Sequence, residues 1–253
     1  MTNLRILVAV PMFNCEKQIT DTLDAILQFQ HGISEVWIID NCSTDQSIHI
    51  VEEYLKSVKS LQIPMKLFQN KENFGLGGTH KIAFEMANEN FFSHVLIFHG
   101  DHQAQGPDLA AFIEIAQTKP NSIVLGSRFM RNSSRIGYSK SRTIANYIFN
   151  FLLTVRERKI VKDLGSGLNI FPIEAIETIN LTLLPNDLTF NIALLRQLIH
   201  SNIEIIWRPI KWTEEDQISN VKIISQTLAT LRLIICKHDK SFHESNFITE
   251  RVR

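Results

Sequence analysis

Residues 95–103 read VLIFHGDHQ. The four apolar residues from Val95 to Phe98 predict a buried strand, and the chain leaves it with His99, Asp101 and Gln103 at alternate positions. In extended backbone, alternate side chains point the same way. An imidazole, a carboxylate and an amide oxygen therefore converge just beyond a strand end, with Gly100 between the first two. Open α/β sheets bind ligands outside the carboxyl ends of their strands. Three metal-capable groups at such a place point to a divalent cation holding a phosphorylated ligand.

Outward from this stretch, strand-like and helix-like segments alternate. Apolar runs at 5–10, 35–39, 65–69 and 122–125 predict further strands. Helical spacing predicts helices at 17–30 (Ile19, Leu23, Ile26, Leu27), 45–58, 79–90 and 108–117, the last entered through Pro107. Alternation at this interval predicts a three-layer α/β fold, a mainly parallel mixed sheet flanked by helices. Later residues predict helices at 139–155 and 188–200, a strand at 204–207 and a return to the sheet at 167–171. An amphipathic helix at 222–236 precedes a polar tail, expected to be mobile beyond His238. The chain thus reads as a domain over 1–221 with a helical extension and tail over 222–253.

The 253 residues are 44% hydrophobic and 21% charged, with no net charge, which gives no global reason to expect nucleic acid as a partner. Cys15, Cys42 and Cys236 match no zinc spacing and favour a reduced, cytoplasmic setting. The start, MTNLRILVAV, has no signal-peptide pattern, and the late apolar run at 228–236 is broken by Thr230 and Arg232. It is shorter than the ~18–20 residues a membrane span needs. A peripheral contact with the inner face of a membrane stays open.

Several polar groups fall at predicted strand ends. The first strand ends in VPMFN (10–14), where Pro11 leaves the ladder and Phe13 and Asn14 can flank a flat ligand. The second ends in IIDNCSTD (38–45). Asp40 is placed to accept hydrogen bonds from a nucleobase or ribose, Asn41 and Ser43 to add contacts, and Asp45 to cap the next helix. NFGLGG (73–78) reads either as a tight turn or as a ligand wall offering Asn73, Gly75 and Gly78. It is not the dinucleotide fingerprint. His80 reads as a surface histidine.

Taken in order, these segments resemble family-2 glycosyltransferases of the GT-A fold. VPMFN resembles that family's Val-Pro-x-Tyr-Asn, IIDNCSTD its Asp-Asp-Gly-Ser-x-Asp, NFGLGG its Asn-x-Gly-x-Gly, and FHGDHQ its Asp-x-Asp-x-Gln metal site. GSR (126–128) and DLGSGLNIF (163–171) resemble two later segments. The likeness covers roughly 5–215 and is nearest the dolichyl- and polyprenyl-phosphate sugar transferases. Departures are His99, Asn41, Cys42 and Ala193 where the family has Asp, Asp, Gly and Glu. KWTEEDQISNVK (211–222) also lacks the family's phosphate-gripping arginine but keeps Ser219, Asn220 and Lys222.

The resemblance implies inverting transfer from a UDP- or GDP-linked sugar to a polyprenyl phosphate or a glycan, in cell-envelope polysaccharide synthesis. It implies manganese or magnesium at Asp101, Gln103 and His99, and Arg128 as a cationic donor to the leaving diphosphate. A hydroxyl acceptor requires a general base, from Asp187 or the acidic run Glu214, Glu215 and Asp216; a phosphate acceptor does not. Asp163, Ser166 and Gly167 would shape the acceptor side. The alternative is a catalytically impaired domain that binds the nucleotide-sugar; a nucleotidyltransferase is disfavoured because VPMFNCEKQI has no glycine. The apolar stripe at 144–155, flanked by Lys140, Arg142, Arg156, Arg158 and Lys159, suits a membrane interface, the catalytic core or a second subunit in a homodimer.

Overall fold

The structure is a computed structural model that describes residues 4–58, 63–214, 223–235 and 249–251. Strands β1 (Ile6–Met12), β2 (Glu35–Asp40), β3 (Met65–Asn70) and β4 (His94–Phe98) alternate with helices α1 (Ile19–Gln28), α2 (Ser47–Ser57) and α3 (Gly75–Glu89). Helix α4 (Gly106–Thr118) leads to β5 (Ile123–Ser127), then β6 (Ser134–Ile136), α5 (Lys140–Glu157), β7 (Leu168–Pro172) and α6 (Ile173–Glu177). A 3-10 turn at Leu181–Leu183 precedes α7 (Phe190–His200), β8 (Ile205–Pro209), β9 (Lys211–Thr213), α8 (Ile223–Ile235) and β10 (Thr249–Arg251).

Eight strands form one sheet in the order β10-β3-β2-β1-β4-β7-β5-β8. The pairs among β3, β2, β1 and β4 are parallel, as is β5 with β8, while β7 runs antiparallel between β4 and β5. The predicted mixed, helix-flanked three-layer architecture is the one observed. Alternation along β1 sends Leu7 and Ala9 into one buried core, with Phe84 and Phe190. It sends Ile6, Val8 and Val10 into the other, with Leu23 and Phe112. A strand buried on both faces reads as an unbroken apolar run, which is why 5–10 was legible.

The structure departs from the sequence reading in four places. The glycine segment is the first turn of α3, not a turn ahead of it. Glycine is a poor helix former, but tertiary contact demands it here. A Cβ on Gly77 would lie 2.5 Å from both the Phe190 Cβ and the Pro185 carbonyl oxygen, and one on Gly75 would lie 2.4 Å from the Asn186 carbonyl oxygen. The Gly77 and Gly78 N–H groups donate to that Asn186 oxygen at 2.7 and 3.2 Å, so α3 is capped by a distant loop. His80 is buried, not on the surface. The small parallel sheet of β6 and β9 has no sequence signal. The tail contributes Thr249–Arg251 as an antiparallel edge on β3; the remainder of the tail expected to be mobile lies outside the described residues, as do Glu215, Asp216, Ser219, Asn220, Lys222 and Cys236. Helix α8, for which a dimer or core contact was expected, is no departure: it packs on α5 and α7.

Replacing Gly77 by alanine should cost about 1–3 kcal/mol, because neither neighbour at 2.5 Å is a flexible side-chain end. Urea unfolding of Gly77→Ala beside the unmodified protein measures it.

Candidate active site

The ends of β1, β2 and β4 open into a cleft of about 530 Å³ lined by Pro11, Phe13, Asn14, Lys17, Asn41, Asn73, Gly75, His99, Gly100, Asp101 and Leu188, among others. Three non-glycine residues on these loops, Asn14 (φ 53°), Cys42 (φ 62°) and His102 (φ 52°), have left-handed backbone. Such conformations cost energy in L-residues and gather at functional sites. Cys42 holds one at the position where the family motif has glycine.

Hydrogen bonds tie the loops together. The Asn14 N–H donates to Ser43 Oγ at 2.9 Å, and Asn14 Oδ1 accepts from the Thr44 N–H at 2.8 Å. Asp45 caps the turn into α2: Oδ1 accepts from the Ser47 N–H and hydroxyl, and Oδ2 from the Glu16 N–H. Asn41 Nδ2 donates to Asn73 Oδ1 at 2.8 Å, while its Oδ1 accepts from Asn70 Nδ2 and the Phe74 N–H. That first bond needs an amide donor, which accounts for Asn where the family has a carboxylate. Asp40 is sealed from solvent. Its Oδ2 accepts from the Ser43 N–H at 3.0 Å, Oδ1 is buried with no hydrogen-bond partner, and burial raises its carboxyl pKa. An unmet acceptor of this kind costs about 1–3 kcal/mol.

His99 is held from three sides. Its N–H donates to the Gly167 carbonyl at 3.1 Å. A Cβ on Gly167 would lie 2.8 Å from its Nδ1. Its Nε2 lies 2.9 Å from Nε2 of His80. One ring must donate and the other accept, so the pair shares a single proton along that line. Burial drives both imidazole pKa values below 6.5, His80 well below. Burial, with nearby Asp101, pushes the Cys15 thiol up to about 12.

Asp101 lines the cleft, and its Oδ1 accepts from the Gln103 N–H at 3.4 Å. Gln103 is buried and is not among the lining residues. Among the described residues, no cluster of three or more His, Cys, Asp or Glu side chains could hold a metal by protein ligands alone. A single carboxylate fits a cation that draws its other ligands from phosphates and water. Asp101 meets that requirement; His99, with Nε2 against His80, does not.

Arg128 stands elsewhere than a phosphate grip requires. Its Nε and Nη2 donate to Asp163 at 2.9 and 2.7 Å, its backbone N–H donates to the same carboxylate at 2.9 Å, and Nη2 also reaches the Gly165 carbonyl. Burial opposes its charge, yet Asp163 outweighs that and raises the guanidinium pKa. The rings of Trp212, Phe129 and Tyr138 surround it at 5.1 to 5.7 Å. The cation that lines the cleft is Lys17. Sequence reading missed it, although it stands three residues beyond the end of VPMFN.

The remaining expected residues are not among those lining the cleft, although Asp187 adjoins the lining residue Leu188 in sequence. Asp187 is exposed, and its Oδ1 accepts from the Thr189 N–H and hydroxyl at 2.8 and 2.5 Å, a helix-start turn. Glu214 pairs with Arg142 at 2.5 Å. Lys81, also missed, is buried and donates from Nζ to the Leu184 carbonyl and Asn186 Oδ1, holding the 184–188 loop against α3.

Residues 7–179 match glycosyl transferase family 2, and the chain belongs to that family. It is 34% identical over 113 residues to the poly(ribitol-phosphate) beta-N-acetylglucosaminyltransferase TarS of Staphylococcus aureus, a stretch covering 42% of this chain and 18% of that protein. It is 31% identical over 93 residues to the putative teichuronic acid biosynthesis glycosyltransferase TuaG of Bacillus subtilis, 36% of this chain and 35% of the other. Among solved structures, TarS in complex with UDP-GlcNAc superposes with a TM-score of 0.60 at 18% identity, covering 91% of this chain and 65% of that one. The mannosyltransferase PcManGT of Pyrobaculum calidifontis, in complex with GDP-Man and Mn2+, gives 0.61 at 18% identity, covering 91% and 62%. These likenesses establish the fold.

Arg128→Ala should cost about 3 kcal/mol or more, because Asp163 would remain charged and buried without its partner; chemical denaturation reads it directly. The histidine pair gives a pH dependence. The unfolded chain binds protons below about pH 6.5 that the folded pair refuses. Stability is therefore full above that value and falls as pH drops through it. His80→Phe should flatten the fall, seen as a smaller change in urea midpoint between about pH 7 and pH 5.

Proposed function

We propose that the chain transfers a sugar, with inversion, from a UDP- or GDP-linked donor to a polyprenyl phosphate or a glycan in cell-envelope polysaccharide assembly, working from the cytoplasmic side. The observation that carries this reading is the Asp101 carboxylate in a cleft built from the strained ends of β1, β2 and β4. TarS with UDP-GlcNAc and PcManGT with GDP-Man support the donor class. Asp40, first expected to bind a nucleobase or ribose, is sealed from solvent and does not line the cleft; it holds the loop through the Ser43 N–H instead. Phe13, 41% exposed at the cleft, suits the face of a base.

Manganese or magnesium would be held by Asp101, and when bound supplies Lewis-acid stabilisation of the departing diphosphate. Lys17 takes the cationic role first expected of Arg128. Arg128 acts through Asp163, holding the turn that seats Gly167 against His99. The acceptor oxygen attacks the anomeric carbon as the diphosphate leaves. For a hydroxyl acceptor, Asp187 is the candidate base, its carboxylate oriented by Thr189; a phosphate acceptor needs none.

A second reading, a nucleotide-sugar binding domain without turnover, draws on His99 Nε2 being turned to His80. Calorimetry with UDP- and GDP-sugars, with and without manganese, paired with a donor-hydrolysis assay, separates the two. Asp101→Asn should lower turnover by about 10²–10³-fold with an unchanged circular dichroism spectrum. Undiminished manganese-dependent turnover in that variant sinks the Asp101 assignment. Tight donor binding by the unmodified protein without hydrolysis or transfer favours the second reading.

A further inference from the structure

Helix α5 is unusual in how little of itself it buries. Over 18 residues, only Asn150 and Leu153 are enclosed. Ile144, Ile148, Phe151 and Val155 recur at intervals of a helical turn and are 52–66% exposed. Ile160, just past the helix end, is 70% exposed, and Leu228 of the adjacent α8 is 62% exposed. An apolar stripe of this size on a surface marks a contact.

The charges around the stripe indicate what it contacts. Between residues 131 and 162 the chain carries eight basic residues and one acidic residue, Glu157, although its overall net charge is zero. Glu157 points inward, accepting from Arg196 Nε at 2.6 Å and lying 2.7 Å from His200 Nε2. The outward charges are therefore positive at both ends: Arg131 and Lys140 at the start, Arg158 and Lys159 at the finish, all exposed. A two-fold pairing of this stripe with a second copy is self-opposed, because a helix basic at both ends meets basic residues in either direction. An anionic lipid surface relieves that repulsion and receives the apolar residues. No helix among the described residues is long and apolar enough to cross a membrane, so the contact is a lateral one.

We propose that α5 lies in the interface of an anionic phospholipid surface, with Ile144, Ile148, Phe151 and Val155 in the acyl boundary and Lys140, Arg158 and Lys159 among the headgroups. Docking would keep the cleft near the lipid. The first turn of α5 reaches Glu214 through Arg142. The neighbouring Trp212 bridges to Ala104, and the Thr213 N–H donates to the Gln103 carbonyl on the Asp101 loop. The proposal stands independently of the donor and acceptor chemistry.

Co-sedimentation of the full chain with phosphatidylcholine vesicles, with and without phosphatidylglycerol, tests it. Binding is expected only with phosphatidylglycerol and should weaken at high salt. Two exposed-residue variants, Ile148→Ser with Phe151→Ser and Arg158→Glu with Lys159→Glu, should each weaken binding about tenfold or more, with circular dichroism unchanged. The proposal fails if the protein binds neither vesicle, binds phosphatidylcholine equally well, or binds undiminished in both variants. It also fails if sedimentation velocity finds a dimer that the serine variant abolishes while vesicle binding is absent.

Discussion

The buried contact between Arg128 and Asp163 fixes the floor on which the cleft is built. Three N–H groups of one arginine converge on one carboxylate. Two segments far apart in sequence, the end of β5 and the turn into β7, are thereby held in one register. From that turn, β7 runs back between β4 and β5, and Gly167 comes to rest against the backbone and ring of His99. Asp101, two residues on, inherits its place from this chain of contacts. Planar, paired geometry makes arginine suited to such a clamp, and lysine would not reproduce it.

A second clamp works from the opposite wall. The Asn186 carbonyl caps α3 through Gly77 and Gly78, and Lys81 returns a bond to Asn186 from the next turn. This sets the 184–188 loop, and with it Leu188, at the cleft. Burial lowers the Lys81 pKa to about 8, so the protein spends stability to hold this loop by a buried amine. The strain at Asn14, Cys42 and His102 belongs to the same pattern: cost concentrated where the ligand is expected, offset by the two packed cores beneath.

The His80–His99 pair changes the usual balance at this position. A carboxylate at residue 99 would bring a second negative charge beside Asp101. An imidazole shared with a buried neighbour brings none, and its depressed pKa keeps it neutral at ordinary pH. On the proposed function, less of the cation-holding capacity would be built into the protein, and more would come with the donor's diphosphate.

The strands, their order of appearance and the gathering of polar groups at their ends were legible in the sequence. Buried strands demand continuous apolar runs, and residues 5–10, 35–39 and 95–98 offer little else. Asp101, Asn14 and Asn41 were legible for the same reason, since a strand end fixes where the next side chains emerge. What the sequence could not disclose is which polar groups are already taken. Arg128 and Asp163 are 35 positions apart, and His80 and His99 are 19 apart. No periodicity links either pair, and a free guanidinium reads the same as a clamped one. The helical start at Gly75 was hidden likewise, because local propensity argues against it and only the approach of Pro185, Asn186 and Phe190 decides for it. Local chemistry wrote the strands and their ends; partners distant in the chain decided which of those groups face the cleft and which hold it open.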